Sequence, residues 1–190
     1  MRYFLAILLL FLSVVPASSS DEIIFLSGSP PAASGGGCSV TPSYSQTSIG
    51  FDTEYWAAYD FVGAKYSSTT SYDVCSIKYY VSVIVGNLSS ETIYAQVYSL
   101  SGTSLNTLLG QKQLVSTSIT TGWNTVTFDS PIATGTSGFA IVLTKSSGET
   151  NYIKYGFTGN VSGDWNTGAW YANKSIERDL SGDFAIEIFE

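Results

Sequence analysis

The sequence predicts an all-β protein in which two antiparallel sheets pack face to face as a sandwich. Short apolar and aromatic runs alternate with a period of two, and clusters of Gly, Asn, Ser and Asp separate them. A helical spacing of 3.6 residues is not sustained in the chain after its first seventeen residues. About nine strands at this spacing are typical of two packed sheets.

The strands follow one another along the chain after an apolar segment at 23–26. In 77–85, the odd-numbered face of the strand is expected in the core and the other face is partly polar. The odd-numbered residues are Ile77, Tyr79, Val81, Val83 and Val85, and they alternate with Lys78, Tyr80, Ser82 and Ile84. A loop is expected at 101–102, and Asp129-Ser130-Pro131 is expected to turn the chain. The predicted strands are 55–62, 77–85, 93–98, 108–115, 123–128, 139–144, 152–157 and 184–189. Trp56 and Trp123 fall on such strands and are expected in core or edge packing.

The first seventeen residues have the pattern of a secretory signal peptide. Arg2 precedes an apolar run at 3–12, and Val15 and Ala17 supply small residues before a cleavage site after Ala17. A membrane span needs about 20 apolar residues, so this run is too short, and no transmembrane segment is expected after cleavage. We therefore expect a secreted or cell-surface protein with a signal peptide at 1–17, an arm and Gly/Pro/Ser-rich linker at 18–50, and a sandwich domain at 51–190.

Composition excludes several functions. The 190 residues include no histidine, which excludes Ser-His-Asp, Cys-His and HExxH chemistry. A net charge of −7 with eight Lys and Arg argues against nucleic acid as a partner, because such binding depends on basic contacts to phosphates. Ser and Thr occupy 49 positions, so the surface is expected to be rich in hydroxyl groups.

Cys38 and Cys75 are the only cysteines. In an oxidising compartment such a pair is most simply an internal disulfide, worth roughly 3 to 4 kcal/mol. Two free thiols, or bridges to neighbouring copies, are the alternatives, and spacing alone does not decide among the three.

Several runs together resemble a known family of secreted modules. The chain from about residue 50 to 190 is similar to the jelly-roll modules of choice-of-anchor proteins in bacteria and archaea. The resemblance implies an extracellular, non-catalytic, jelly-roll-like sandwich, and it assigns no catalytic residues. The runs that carry it are Tyr72-Asp73-Val74-Cys75-Ser76-Ile77, 93–98, Leu108-Leu109-Gly110, Gly122-Trp123-Asn124-Thr125-Val126-Thr127-Phe128-Asp129-Ser130-Pro131, 138–143 and Asp183-Phe184-Ala185-Ile186-Glu187-Ile188.

Large aromatic residues in a Gly- and Asn-rich segment suggest a second function. Trp165, Trp170 and Tyr171 are predicted to lie in a loop, where their rings could stack on surface glycans or be buried beneath the loop. A carbohydrate-binding module that uses these three residues is therefore the alternative function.

Acidic residues offer two weaker hypotheses. Asp164, Asp179 and Asp183 could supply the two carboxylates of a glycosidase, although aspartates commonly end strands in β proteins. Asp164 and Asn166 could bind Ca²⁺, but they do not form an EF-hand loop. We expect no catalytic role and no required cofactor.

The N-terminal arm suggests self-association. Its apolar residues, Ile23, Ile24, Phe25 and Leu26, follow Asp21 and Glu22 and precede the Gly/Pro-rich linker. Such a strand can pair with the edge of its own sandwich or with that of another copy. The sequence thus predicts an extracellular structural or adhesive module that can form filaments through this strand.

Overall fold

Extended strands dominate the computed structural model of this chain. It describes residues 38–47, 49, 61–67, 71–145, 151–159, 166–172, 175–179 and 182–190, with the backbone alone for 158–159, 166–172 and 175–179. The predicted all-β fold with two packed antiparallel sheets is confirmed. Within these ranges no helix is both long enough and apolar enough to cross a membrane.

The described residues form thirteen strands and two short 3₁₀ turns. The 3₁₀ turns are Leu88–Ser90 and Ser116–Ser118. In chain order the strands are β1 (Tyr44–Gln46), β2 (Phe61–Tyr66), β3 (Asp73–Val85), β4 (Ile93–Ser101), β5 (Ser104–Leu114), β6 (Gly122–Ala133), β7 (Phe139–Lys145), β8 (Tyr152–Tyr155), β9 (Phe157–Gly159), β10 (Asn166–Ala172), β11 (Ser175–Asp179), β12 (Gly182–Phe184) and β13 (Ile186–Phe189).

The strands assemble into two large sheets and one small one. The first sheet has the order β1-β13-β3-β6, and β8 also pairs with β3. The second sheet has the order β11-β10-β2-β7-β4-β5, and β9 pairs separately with β12. All of these pairs are antiparallel. In the sheet orders of the described residues, β5 and β6, which follow one another in the chain, are edge strands of different sheets.

The alternation predicted for 77–85 is confirmed in β3 as far as Val81 and is wrong beyond it. The pairing with β8 is irregular between Val81 and Val83, which leaves Val83 exposed and packs Ile84 against the core. Ile77, Tyr79 and Val81 are buried in the main core, whereas Lys78 and Tyr80 are only partly buried on the outer face. Packing these inward side chains against the second sheet removes apolar area from water, which is the main force that stabilises such a fold.

Strand β7 is buried on both faces. Phe139 and Ile141 belong to the main core, while Ala140 and Val142 form a second cluster with Tyr98 on the opposite face. The run Phe-Ala-Ile-Val-Leu is apolar throughout, as expected for a strand covered on both sides. The six-stranded sheet is therefore covered on both faces near its centre.

Two predicted strands are each divided in the structure. The backbone of Tyr80 accepts a hydrogen bond from Gly156 N (2.9 Å) and donates one to Ala185 O (3.2 Å). At these two residues the chain leaves the first sheet, because β9 and β12 pair with each other instead. The predicted strands 152–157 and 184–189 are therefore β8 with β9 and β12 with β13.

The tripeptide Asp129-Ser130-Pro131 does not end a strand as predicted. It lies within β6, where pairing passes from Ser76–Thr127 to Val74–Ile132 and leaves four residues of β6 opposite Cys75. Pro131 is tolerated there because β6 is an edge strand, and an edge position with an irregular ladder does not need its missing N–H group.

The structure also differs from the prediction in the linker. Residues 44–46, expected within the linker, form β1, which pairs with 186–188 of β13. Both ends of β1 are tied to the sandwich. Tyr44 packs edge-on to Tyr66 in the core, with 5.4 Å between ring centroids, and Gln46 is buried.

Candidate functional site: the arm root and the seam between two sheet edges

The predicted disulfide between Cys38 and Cys75 is present. Their Cα atoms are 5.6 Å apart, and Cys75 is buried in β3. Cys75 lies opposite the irregular part of β6. The bond therefore fixes Cys38 to the first sheet.

The residues after Cys38 run alongside the last strand, β13, and form backbone hydrogen bonds with it and with Glu190. Ser39 N donates to Glu190 O (2.5 Å) and Ser43 N donates to Ile188 O (2.8 Å), so this segment continues directly into β1. The root of the N-terminal arm is thus held by a covalent bond and by backbone pairing.

The edges of the two sheets meet along β5 and β6, and we call this junction the seam. A Cβ atom on Gly110 of β5 would lie 2.5 Å from Cδ1 of Ile132 in β6, so the two strands are in close contact there. Lys112 of β5 forms an ion pair with Asp129 of β6 one step further along. Among the described residues, β5 pairs only with β4 and β6 only with β3.

The seam opens into a groove beyond Lys112. The groove has a volume of about 220 Å³ and lies under the connection from β5 to β6. Its apolar lining is Tyr79, Leu114, Val115, Ile119 and Val126, of which Tyr79, Ile119 and Val126 belong to the buried core. The groove therefore gives access to the interior between the sheets.

The groove has a hydrophobic rim and a polar surround. Val115 is 67 % exposed although it lies beside the core residue Ile119. The remaining residues that line the groove, some of them through their backbone, are Lys112, Gln113, Ser118, Asn124, Thr125 and Thr127. Val115 thus places one exposed apolar side chain among polar residues at the mouth of the groove, where it is accessible to an incoming apolar side chain.

Burial controls the ionisation of the tyrosine at the bottom of the groove. Tyr79 packs near Tyr155, with ring centroids 6.1 Å apart. Loss of hydration raises the pKa of both phenols above their ordinary value of 10.0, and for Tyr155 the neighbouring Tyr79 raises the pKa further. Both side chains are therefore neutral at physiological pH and act as core residues.

The predicted loop aromatics are only partly described. Trp170 and Tyr171 lie in β10, where they pair in register with Val62 and Phe61 of β2, so this segment is a strand and not the expected loop. Trp165 lies outside the described residues. The structure thus brings two of the three residues to one strand and leaves their binding role a prediction.

The acidic candidates lie on three different strands. Asn166 is the first residue of β10 and Asp179 the last of β11, while Asp183 of β12 is buried in the interior. Asp164 lies outside the described residues, as do Ile23, Ile24, Phe25 and Leu26. No cluster of three or more His, Cys, Asp or Glu residues suited to a metal occurs in the described ranges.

The sequence alone does not indicate the groove. Leu114 and Val115 end a predicted strand, and nothing in their alternation distinguishes an edge strand that faces the second sheet from a strand in the middle of a sheet.

The chain matches no protein-family model, and a search of curated proteins finds no relative.

Proposed function

We propose that the protein is a non-catalytic structural or adhesive module outside the cell, and that its copies associate through the N-terminal segment 23–26. The single observation that carries this proposal is the groove between two edge strands on a sandwich whose arm is rooted by a disulfide. The signal-peptide pattern and the disulfide support an extracellular location. The resemblance to secreted jelly-roll modules supports the same class.

The size of the groove favours a peptide segment over a small molecule. Pockets for small ligands usually enclose about 300 to 1,000 Å³, whereas this groove encloses about 220 Å³. Such a space suits one or two apolar side chains of an extended chain. The segment Ile23-Ile24-Phe25-Leu26 supplies side chains of this type.

The backbone on either side of the groove suits strand addition. An extended peptide gains affinity from main-chain hydrogen bonds at a sheet edge and specificity from alternate side chains in a pocket. A four-residue segment is about 13 Å long, which equals the length of the four rim residues 112–115. Either β5 or β6 would then gain a pairing partner.

The linker is long enough to allow both docking arrangements. From Leu26 to Cys38 the extended chain spans at most about 40 Å, whereas Cys75 and Tyr79 are four residues apart on β3, about 13 Å. A tether of this kind gives an effective concentration of the order of millimolar. Docking on the same copy is therefore favoured in dilute solution, and exchange between copies is favoured where copies are crowded at a surface.

Sedimentation velocity of the mature protein, residues 18–190, tests this function. We expect oligomers that increase with protein concentration, and we expect them to be lost in Phe25→Asp because a charge cannot be buried in the groove without a large penalty. Ser29→Asp adds the same charge within the linker and serves as the control, in which assembly should persist. Equal assembly in Phe25→Asp and wild type, or monomers alone up to millimolar concentration, would contradict the proposal.

A further inference from the structure

An exposed aromatic pair lies on the outer face of the first sheet, away from the groove. Tyr80 of β3 and Trp123 of β6 are directly opposite in the strand register. Their ring centroids are 5.5 Å apart and their planes are inclined by 74°, which is an edge-to-face arrangement. Trp123 is 39 % exposed. Tyr79, the residue before Tyr80 in β3, points the other way, into the core.

Local contacts fix the turn before Trp123 and the ring of Tyr80. Asn124 accepts a hydrogen bond from Thr120 N (3.0 Å) and donates to the carbonyl groups of Thr120 (2.7 Å) and Gly122 (2.9 Å), which fixes the turn before Trp123. On the other side, a Cβ atom on Gly156 would lie 2.8 Å from Cδ1 of Tyr80, so the tyrosine ring rests against the Gly156 backbone. A ring held in this way loses little conformational entropy when a ligand binds.

One ion pair lies close to the aromatic pair. Lys78, the next outward residue to Tyr80 along β3, forms an ion pair with Glu187 (3.3 Å) and lies 4.8 Å from the centroid of the Phe189 ring. Thr125, opposite Lys78 in β6, adds an exposed hydroxyl group to the same face. The ion pair carries no net charge and Thr125 supplies a hydroxyl group, so this side of the aromatic pair suits an uncharged polar ligand.

We propose that Trp123 is a stacking platform for a pyranose ring of an extended neutral saccharide, with Tyr80 as the ring that supports it. The C–H groups on one face of a pyranose carry partial positive charge, which complements the negative face of an aromatic ring. Because the two planes are strongly inclined, only one of these rings can lie parallel to a sugar, and Trp123 is at the open edge of the sheet. A sheet face without a deep pocket suits a ring within a chain better than a single enclosed sugar.

This site is distinct from the predicted loop aromatics and from the groove. Trp170 and Tyr171 belong to β10 of the six-stranded sheet, whereas Tyr80 and Trp123 belong to the first sheet. Saccharide binding here does not depend on the N-terminal segment. The two proposals can therefore fail independently.

Calorimetric titration with four neutral hexasaccharides, cellohexaose, xylohexaose, chitohexaose and mannohexaose, tests the proposal, with choline as a cationic comparison. We expect at least one hexasaccharide to bind and its affinity to fall about tenfold in Trp123→Ala, which corresponds to the loss of one aromatic contact. Tyr80→Phe keeps the supporting ring and should change the affinity by less. Leu108→Ala removes a side chain of equal exposure, 39 %, from β5 and should leave affinity unchanged.

Folding of each variant is checked by its melting temperature. If Trp123→Ala is unstable, Trp123→Phe is measured in its place, and because it retains a smaller ring it should bind with an affinity between those of wild type and a variant without the ring. The Phe25→Asp variant should bind the saccharide as wild type does. Binding of choline alone, no binding of any hexasaccharide, or unchanged affinity in both Trp123 variants would overturn the proposal.

Discussion

Gly110 of β5 lies directly against Ile132 of β6, with no room for a Cβ atom between the two strands. A Cβ atom added to the glycine would lie 2.5 Å from Cδ1 and 2.7 Å from Cγ1 of the isoleucine. This contact brings together the edges of two sheets that share no backbone pairing between β5 and β6. It closes one part of the seam, while the groove opens a few residues further along.

Gly110→Ala should destabilise the sandwich. The added methyl group forces the buried Ile132 side chain to move, and such overpacking usually costs about 1 to 3 kcal/mol. Urea unfolding measures the change. Asn106→Ala, at an exposed position of the same strand, should change the free energy of unfolding by less than about 0.5 kcal/mol.

A double variant isolates the cause. Ile132→Val removes part of the side chain that the alanine would displace, so Gly110→Ala should cost less in the Ile132→Val background than in wild type. Equal costs in the two backgrounds would show that Ile132 is not the group responsible.

Loss of the disulfide should lower the free energy of unfolding by about 4 kcal/mol, as chain entropy predicts for cysteines 37 residues apart. Cys38→Ser/Cys75→Ser, unfolded in urea, measures this difference. Wild-type protein treated with a reducing agent should unfold at the same urea concentration as the double variant. A wild-type midpoint that does not respond to reduction would contradict the assignment.

High pH should destabilise the fold through its buried phenols. Burial raises the pKa of Tyr79, Tyr98 and Tyr155 above 10.0, so the unfolded chain loses these protons first as pH rises. Their contribution to stability is intact below about pH 9, and above pH 10 the deeply buried Tyr79 and Tyr155 can each remove up to about 1.4 kcal/mol per pH unit.

Unfolding measured across this range should show a smaller slope in Tyr155→Phe than in wild type. Asn106→Ala, at an exposed position without a titratable side chain, is the control and should leave the slope unchanged. Identical slopes for wild type and Tyr155→Phe would indicate that Tyr155 ionises normally in the folded protein.

A charge on the rim of the groove should prevent assembly without unfolding the protein. Val115 is 67 % exposed, so Val115→Asp should change the melting temperature little but abolish the oligomers seen by sedimentation. Val40→Asp places the same charge at a valine that is 96 % exposed and does not line the groove. Loss of assembly in Val40→Asp alone would move the docking site to the β1 side of the sandwich.

The sequence predicted those strands whose side chains divide cleanly between core and solvent. The alternation around Tyr79 identified β3, and the export pattern with one cysteine pair indicated the disulfide. It did not identify β10, because Asn166, Gly168 and the alanines of this segment have low strand propensity and the strand depends on pairing with β2. Tertiary pairing therefore decided this element.

The candidate site was less predictable because it arises from contact between elements of different sheets. No local pattern indicates that Gly110 faces Ile132 or that Tyr79 lies beneath Val115. Trp123, expected in core or edge packing, is indeed on an edge strand, but its exposure depends on which side of β3 that strand joins. Such relations require the sheet order, which alternation does not provide.

Photo-cross-linking from position 25 tests the central claim most directly. The full mature protein carrying benzoylphenylalanine in place of Phe25 is irradiated and digested, and the linked peptides are identified by mass spectrometry. A mixture of ¹⁴N- and ¹⁵N-labelled copies distinguishes links within one chain from links between chains. We predict links to residues 112–119 and 124–127, with mixed-isotope links increasing with protein concentration. Links confined to β1 or β11, or links within single chains at every concentration, would contradict assembly through this groove.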